Sequence, residues 1–370
     1  MTKNSWETLN YDYYGGVLWP NLREHLKTPP KLHARISQDK SAQSADNEHR
    51  LFGHSCFIKQ QRYVENTVDY FIDPASVFPV AALNVKDGCS VLDMCAAPGG
   101  KSLLIAGELF HHERRSSEDC DSFLVCNDLS QARLQRLQRN LAAHHGSDKR
   151  QYRVTISDPS TNSRVVSKYA PYDCVLLDAP CSSDRHRIAV DPLMKEWSLQ
   201  SVKRTVKLQK QLLKTGLEVL KRGGRLVYST CALSELENDL VLESAFVIAD
   251  PVPHDTLLQQ LEEKCGIDIR VVELRDPPAH DPPAHDPPTH DRPTHDQPTH
   301  DQPARAEMTH DGTADGAAAL QNETAQQNEL PVLTLRKTTY GFLMLPCDQG
   351  GIGVIYFAAL QKRDIFACKR

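Results

Sequence analysis

Val91-Leu92-Asp93-Met94-Cys95-Ala96-Ala97-Pro98-Gly99-Gly100-Lys101-Ser102 is the stretch on which the fold turns. Val91–Asp93 is a short apolar run ending in an acid, which suits a buried parallel strand. Ala96–Gly100 is a turn of small residues, and such a turn lets a ligand approach the backbone closely. Lys101-Ser102-Leu103-Leu104-Ile105-Ala106 then opens a helix, whose N-terminus favours a negative group. Strand, tight turn and helix make the first unit of a nucleotide-binding α/β domain. A simple turn would also explain Gly-Gly, and the stretch is neither a Walker loop nor G-x-G-x-x-G.

The alternation continues downstream. Strands are predicted at 90–94, 123–128, 152–156, 174–178 and 225–231, and two late strands at 341–345 and 354–360. Helices are predicted from Ser130, from about Leu199 to Lys221 with Gly223-Gly224 as the stop, and from Ser234 with Glu237 at capping-box spacing. This predicts an α/β fold, a seven-stranded, mostly parallel sheet with helices on both faces. Seven strands with a final pair at the C-terminus resemble the Rossmann-like pattern of class I methyltransferases.

Upstream, residues 1–65 read as a polar N-terminal arm with an aromatic island (Tyr11, Tyr13, Tyr14, Trp19) and a short helix through Leu26. Residues 66–84 read as a helix pair preceding the first strand of a core that spans 66–275. Residues 276–330 break the pattern. Asp-Pro-Pro-Ala-His repeats from Asp276 to His300, and proline at this density forbids helix and sheet. The tract reads as a disordered insertion. Its regular histidines could chelate a metal, but the preferred reading is an insert without a site, because a disordered tract bears the ordering entropy itself. Residues 331–370 then supply the strand pair that completes the core.

Composition narrows the function. The 370 residues carry 43 Lys+Arg against 48 Asp+Glu. Nucleic-acid binding therefore needs a local patch or a partner. Eleven cysteines with no C-x-x-C pair point to free thiols in a reducing compartment and away from a disulfide framework or a zinc module. No apolar run approaches the length of a membrane span. The N-terminus shows neither an apolar signal core nor an Arg-rich transit segment, since the first arginine is Arg23.

Three acids recur at predicted strand ends: Asp128, Asp158 and Asp178. In open α/β sheets ligands bind at this edge. Asp128 can accept from a ribose diol and Asp158 from an adenine amino group, although each acid alone could cap a helix. Cys181 and Cys231 follow two adjacent strands at the same edge. Either is also a residue type commonly buried for packing. Cytosine C5 is a poor nucleophile until a thiolate adds to C6 and makes the ring an enamine, with an acid near N3 to accept the developing charge. This is covalent catalysis by a thiol on an unstacked base.

Asp178-Ala179-Pro180-Cys181-Ser182-Ser183 and Tyr228-Ser229-Thr230-Cys231, in this order after Cys95–Lys101, resemble the paired-cysteine motifs of the Sun-domain (NSUN) RNA cytosine-5 methyltransferases. The likeness covers roughly 66–245 and 338–362. It implies Cys231 as nucleophile, Cys181 as the thiol assisting product release, and Asp178 as a contact to the base. It implies S-adenosyl-L-methionine as cofactor, held by Ala97, Pro98, Gly99, Gly100, Lys101, Asp128, Arg133, Asp158, Pro159 and Asp178. DNA cytosine methyltransferases use the Pro-Cys thiol instead, so exchanged roles for Cys181 and Cys231 stay open. Leu18-Trp19-Pro20, Asn127-Asp128-Leu129-Ser130 and Asp184-Arg185-His186 are most similar to the family's mitochondrial ribosomal RNA branch. That branch implies ribosomal RNA as substrate, an mTERF-type protein partner, no membrane, and a mitochondrial location. Pro159 stands where the family has glycine, and the repeat insertion is foreign to it. Alternatives are the same chemistry on transfer RNA, a non-catalytic ribosome-assembly scaffold, and a small-molecule methyltransferase, for which the thiol pair has no evident use.

Overall fold

Asp93, Asp128 and Asp178 end three neighbouring parallel strands of one large sheet. The computed structural model describes residues 5–37, 49–52, 56–59, 69–110, 122–146, 151–274, 333–349 and 352–364, all within one compact unit. Helix α1 (Trp6–Leu26) is followed by four short strands, β1 (His33–Ile36), β2 (His49–Phe52), β3 (Cys56–Lys59) and β4 (Tyr70–Ile72), which form a small sheet in the order β2-β3-β1-β4. Helix α2 (Val77–Leu83) leads into β5 (Ser90–Asp93), α3 (Gly100–Leu109), β6 (Phe123–Asp128), α4 (Gln131–His145), β7 (Tyr152–Ile156), α5 (Arg164–Ser167), β8 (Tyr172–Asp178), α6 (Asp184–Val190), α7 (Leu199–Val219) and β9 (Leu220–Thr230). The remainder is α8 (Asp239–Leu242), β10 (Ala249–Pro251), α9 (His254–Cys265), β11 (Ile269–Glu273), β12 (Leu333–Lys337), β13 (Phe342–Met344), α10 (Pro346–Gln349) and β14 (Ile355–Lys362).

The large sheet runs β11-β12-β13-β14-β9-β8-β5-β6-β7, with β10 paired to β14. From β7 to β13 it contains the seven strands the sequence predicts. Strands β5 to β9 pair in parallel and β14 inserts antiparallel beside β9. The other three strands extend the sheet beyond the predicted set. Val175, Leu176 and Leu177 of β8 are all fully buried, as expected of a parallel strand covered on both faces.

Three sequence expectations change. The helix pair over 66–84 is instead β4, a 3₁₀ turn at Pro74–Ser76 and the single helix α2. Tyr70-Phe71-Ile72 favours an extended chain and pairs antiparallel with β1. Asp73-Pro74 then prevents a helix from running through, because the residue before proline avoids the α region. The N-terminal arm is more structured than a short helix. Helix α1 has 21 residues, with Gly15 at φ 80° breaking its period. Its aromatic residues are core: Trp6, Tyr14 and Trp19 are buried, and Trp6 meets Trp19 edge-on at 5.0 Å. Gly223-Gly224 is not a helix stop. Helix α7 passes directly into β9, and the glycines serve an irregularity opposite Tyr172–Cys174. A Cβ on Gly224 would stand 2.9 Å from the Asp173 carbonyl oxygen. The Asp-Pro-Pro-Ala-His insertion lies outside the described residues. The strands on either side of it, β11 and β12, pair in parallel from Ile269↔Leu333 to Glu273↔Lys337. No described helix is long and apolar enough to cross a membrane.

Candidate active site

The turn after β5 is built to let something lie against it. Gly99 sits at φ +115°, where an L side chain is strained. A Cβ on Gly100 would come within 2.6 Å of Ile72 Cγ2, so β4 leaves room only for glycine. The Ala97 amide donates to Asp128 Oδ2 at 3.1 Å, and the Arg133 guanidinium donates to the Ala97 carbonyl. Asp128 Oδ1 accepts the Ser130 amide at 2.9 Å. Ser130, not Asp128, caps α4 by accepting the Arg133 amide.

A cavity of about 220 Å³ opens beside this turn, lined by Tyr70, Asp93, Ala97, Pro98, Lys101 and Asp178 among others. Asp93 is buried. Its Oδ2 accepts the Ser102 hydroxyl at 2.6 Å, and its Oδ1 is a buried atom with no hydrogen-bond partner. Burial pushes the Asp93 carboxyl up to about 7, with the carboxylates of Asp178 and Asp128 adding to the effect. Lys101 Nζ donates to Asp178 Oδ2 at 2.7 Å, and Ser229 donates to Asp178 Oδ1 at 2.7 Å. Burial acts against the Lys101 charge, but the adjacent Asp178 carboxylate outweighs it and raises the ammonium above its ordinary value.

Strands β8 and β9 deliver the two cysteines side by side. Cys181 Sγ and Cys231 Sγ are 3.1 Å apart. Cys181 is half-buried and Cys231 exposed. The hydrogen bond between them lowers the Cys231 thiol, with the Ser183 hydroxyl 3.6 Å away and the Lys101 charge acting in the same direction. The same bond, together with burial, raises the Cys181 thiol. The pair is therefore asymmetric, with Cys231 the thiol that ionises more readily and Cys181 the one that holds its proton more tightly.

Buried carboxylates hold the two cysteine loops together. Glu237 Oε2 accepts the Ser182 amide at 2.9 Å and the Gln209 amide at 3.1 Å, and Gln209 also donates to the Pro180 carbonyl. Asp184 Oδ2 accepts the Ser182 hydroxyl and the Leu233 amide, both at 2.9 Å. Its Oδ1 accepts Trp6 Nε1, and the Tyr14 hydroxyl donates to the Leu233 carbonyl at 2.7 Å. Glu237 thus braces the Cys181 loop and does not form a capping box. Arg185 donates to the carbonyls of Ile352 and Thr28, so it is a structural cation here.

Three comparisons bear on this arrangement. The family model described as 16S rRNA methyltransferase RsmB/F matches residues 80–274. The chain belongs to that family. Among curated proteins it is 36% identical over 199 residues to the 5-cytosine rRNA methyltransferase NSUN4 of Xenopus laevis, covering 53% of this chain and 46% of that one. It is 37% identical over 199 residues to the mitochondrial tRNA (cytosine(34)-C(5))-methyltransferase of Danio rerio, covering 53% and 49%. The chain spans about half the length of the curated relatives it matches. The solved structure of NSun6 from Pyrococcus horikoshii with SFG has the same fold at a TM-score of 0.60 and 14% identity, over 96% of this chain and 97% of that one.

In this RsmB/F-family chain most of the cofactor residues singled out from sequence gather at the turn after β5. Ala97, Pro98, Gly100, Lys101 and Asp178 line the cavity, and Gly99, Asp128 and Arg133 shape the turn behind it. Asp158 and Pro159 are not among the cavity-lining residues. Asp158 accepts the Ser160 amide and hydroxyl, and the Pro159 carbonyl accepts Thr215. Sequence reasoning named Asp93 only as a strand end and did not mark Ser183, Gln209 or Asp184 as site residues. An acid or amide reads as surface until its buried partners are known.

Proposed function

We propose that this chain is an S-adenosyl-L-methionine-dependent RNA cytosine-5 methyltransferase acting on ribosomal RNA of the mitochondrion. The asymmetric thiol pair beside the Lys101–Asp178 ion pair carries this reading. Cofactor fit is supported by the glycine cradle at Gly99-Gly100 and the partnerless Oδ1 of buried Asp93. Leu129 and Ile156, exposed at neighbouring strand ends beside Asp128, supply an apolar shelf for an adenine. Asp128 retains lone pairs for a ribose diol, and Asp158 stands at the next strand end. When bound, S-adenosylmethionine supplies an electrophilic methyl group.

The chain's own residues do the rest. The Cys231 thiolate adds to C6 of an unstacked cytosine. The proton that Cys231 gives up passes by way of Asp178 to N3 as charge develops there, and Asp178 returns to the carboxylate paired with Lys101. C5 becomes nucleophilic and takes the methyl group. Water takes the C5 proton, the C5–C6 double bond re-forms as the C6–S bond breaks and Cys231 leaves as the thiolate, and Cys181 stands beside the breaking bond to assist release. The lowered Cys231 thiol supports this assignment over the exchanged one.

The ribosomal and mitochondrial parts of the reading are supported by the names of the matched relatives. Transfer RNA is the second substrate to consider, since one of those relatives is a transfer RNA enzyme. The acidic net charge of −5 supports help from a protein such as an mTERF-type partner. Bisulfite sequencing of cellular RNA with and without the protein tests the whole reading. A cytosine in mitochondrial ribosomal RNA should lose its protection when the protein is absent and regain it with wild type but not with Cys231→Ala. Loss confined to transfer RNA would move the substrate. No loss at any site would leave the scaffold reading.

A further inference from the structure

Helix α7 carries five exposed cations, Lys203, Arg204, Lys207, Lys210 and Lys214. The four lysines recur at steps of four, three and four residues, so they line one stripe along the helix. The opposite face is fixed by burial of Val202, Gln209, Leu212, Leu213 and Leu217, and the stripe therefore faces solvent along its length. Like charges at this spacing repel one another, and surface helices usually intersperse the two signs. Here the one acid of α7 is Glu218 at its far end, 3.9 Å from Lys214. The concentration runs against the sign of the whole chain, whose net charge is −5.

The stripe backs directly onto the site. Gln209, on the inner face of α7, donates to the carbonyl of Pro180, the residue before Cys181. Resting on the reading of RNA as substrate, we propose that the outer face of α7 is the track for phosphates of the RNA strand flanking the reacting cytosine. The stripe from Lys203 to Lys214 is ~16 Å long at the helical rise, enough for several nucleotides. Lysine is a flexible point charge, suited to phosphates whatever the base sequence. An acidic protein is the competing occupant, but the bond from Gln209 to Pro180 ties this helix to the Cys181 loop and favours the strand that delivers its base there.

The test uses the full chain with Lys203→Gln, Lys207→Gln and Lys210→Gln combined, on an exposed face where folding is kept and checked by thermal melting. The probe is a single-stranded RNA with one cytosine and long flanks, its binding followed by anisotropy over a salt series. Three lost phosphate contacts at about 0.7 each should reduce the slope of log affinity against log salt by about two. The KM for RNA should rise by about an order of magnitude, while kcat at saturating RNA and S-adenosylmethionine affinity stay unchanged. An unchanged slope and KM would overturn the proposal, also if the variant lost an acidic protein partner instead. If wild type binds RNA through these lysines yet methylates nothing, the methyltransferase reading fails and the track stands. If both proteins methylate with equal KM, the track fails and the methyltransferase reading stands.

Discussion

The Trp6 indole donates from Nε1 to Asp184 Oδ1 at 2.9 Å, joining the first helix to the loop that follows Cys181 across 178 residues of chain. The other oxygen of Asp184 holds Ser182 and Leu233, one on each cysteine loop. A single buried carboxylate thus sets the spacing of the two thiols, and α1 sets the carboxylate. Trp6→Phe keeps most of the packing and removes the bond. We expect a loss of about 1–3 kcal/mol in denaturant unfolding, the usual penalty for a buried partner left unmade. Turnover should fall further in Asp184→Ala than in Trp6→Phe, since only the former releases both loops. Unchanged turnover in Trp6→Phe would separate α1 from the site.

The two thiols should fail differently. Cys231→Ala cannot form the C6 adduct, so neither methyl transfer nor a covalent RNA complex is expected. Cys181→Ala should still add and accept the methyl group, then stall as a protein–RNA adduct that survives a denaturing gel. Adducts from Cys231→Ala and none from Cys181→Ala would reverse the roles.

The pH dependence follows from the lowered Cys231 thiol. Its thiolate forms below the ordinary thiol value of about 8.5, so kcat/KM should rise with pH and level off below that point. Ser183→Ala withdraws a donor from the thiolate, and the rising limb should move to higher pH. A limb that stays in place would remove Ser183 from the activation of Cys231.

Asp93 makes a separate prediction about stability. Its folded value of about 7 lies above the unfolded value of about 3.9. Between the two the folded state binds more protons, so stability falls as pH rises from about 4 to about 7 and is level beyond. The interval corresponds to at most about 4 kcal/mol. Asp93→Asn should flatten this part of the curve and gain on the parent chain at alkaline pH. Parallel curves for both proteins, from chemical denaturation over the pH series, would contradict the assignment.

The parallel pairing of β11 with β12 constrains the insertion between them. A parallel neighbour needs a crossover of roughly a dozen residues or more. Deletion of Asp276–Gln302 leaves enough chain for that return, and folding and methylation should survive. Deletion of 276–330 leaves too little, and β12 should lose its place. A soluble, fully active protein from the longer deletion would show that the crossover can be dispensed with.

The sequence discloses the parts of this molecule that repeat a physical pattern. Apolar runs ending in Asp93, Asp128 and Asp178 mark the central strands, and the order of Cys181 and Cys231 after them places both thiols on one edge. The small sheet is different. Strands of three or four residues paired out of chain order, with β1 between β3 and β4, leave no period to read. Helix α1 hides its length because Gly15 interrupts the stripe of buried aromatics. Asp184 and Glu237 hide their roles because their partners are loop amides, which carry no side-chain signature.

Strand β14 lies between β9 and β13, with Tyr356 opposite Thr230, the residue before Cys231. On a translating ribosome both cysteines leave the exit tunnel long before Ile355–Lys362 does. Until that last strand emerges, β9 is an edge with unpaired backbone groups, the kind of surface that invites misassembly. A message cut short between the codons for Cys231 and Ile355 therefore encodes both cysteines without the strand that covers β9.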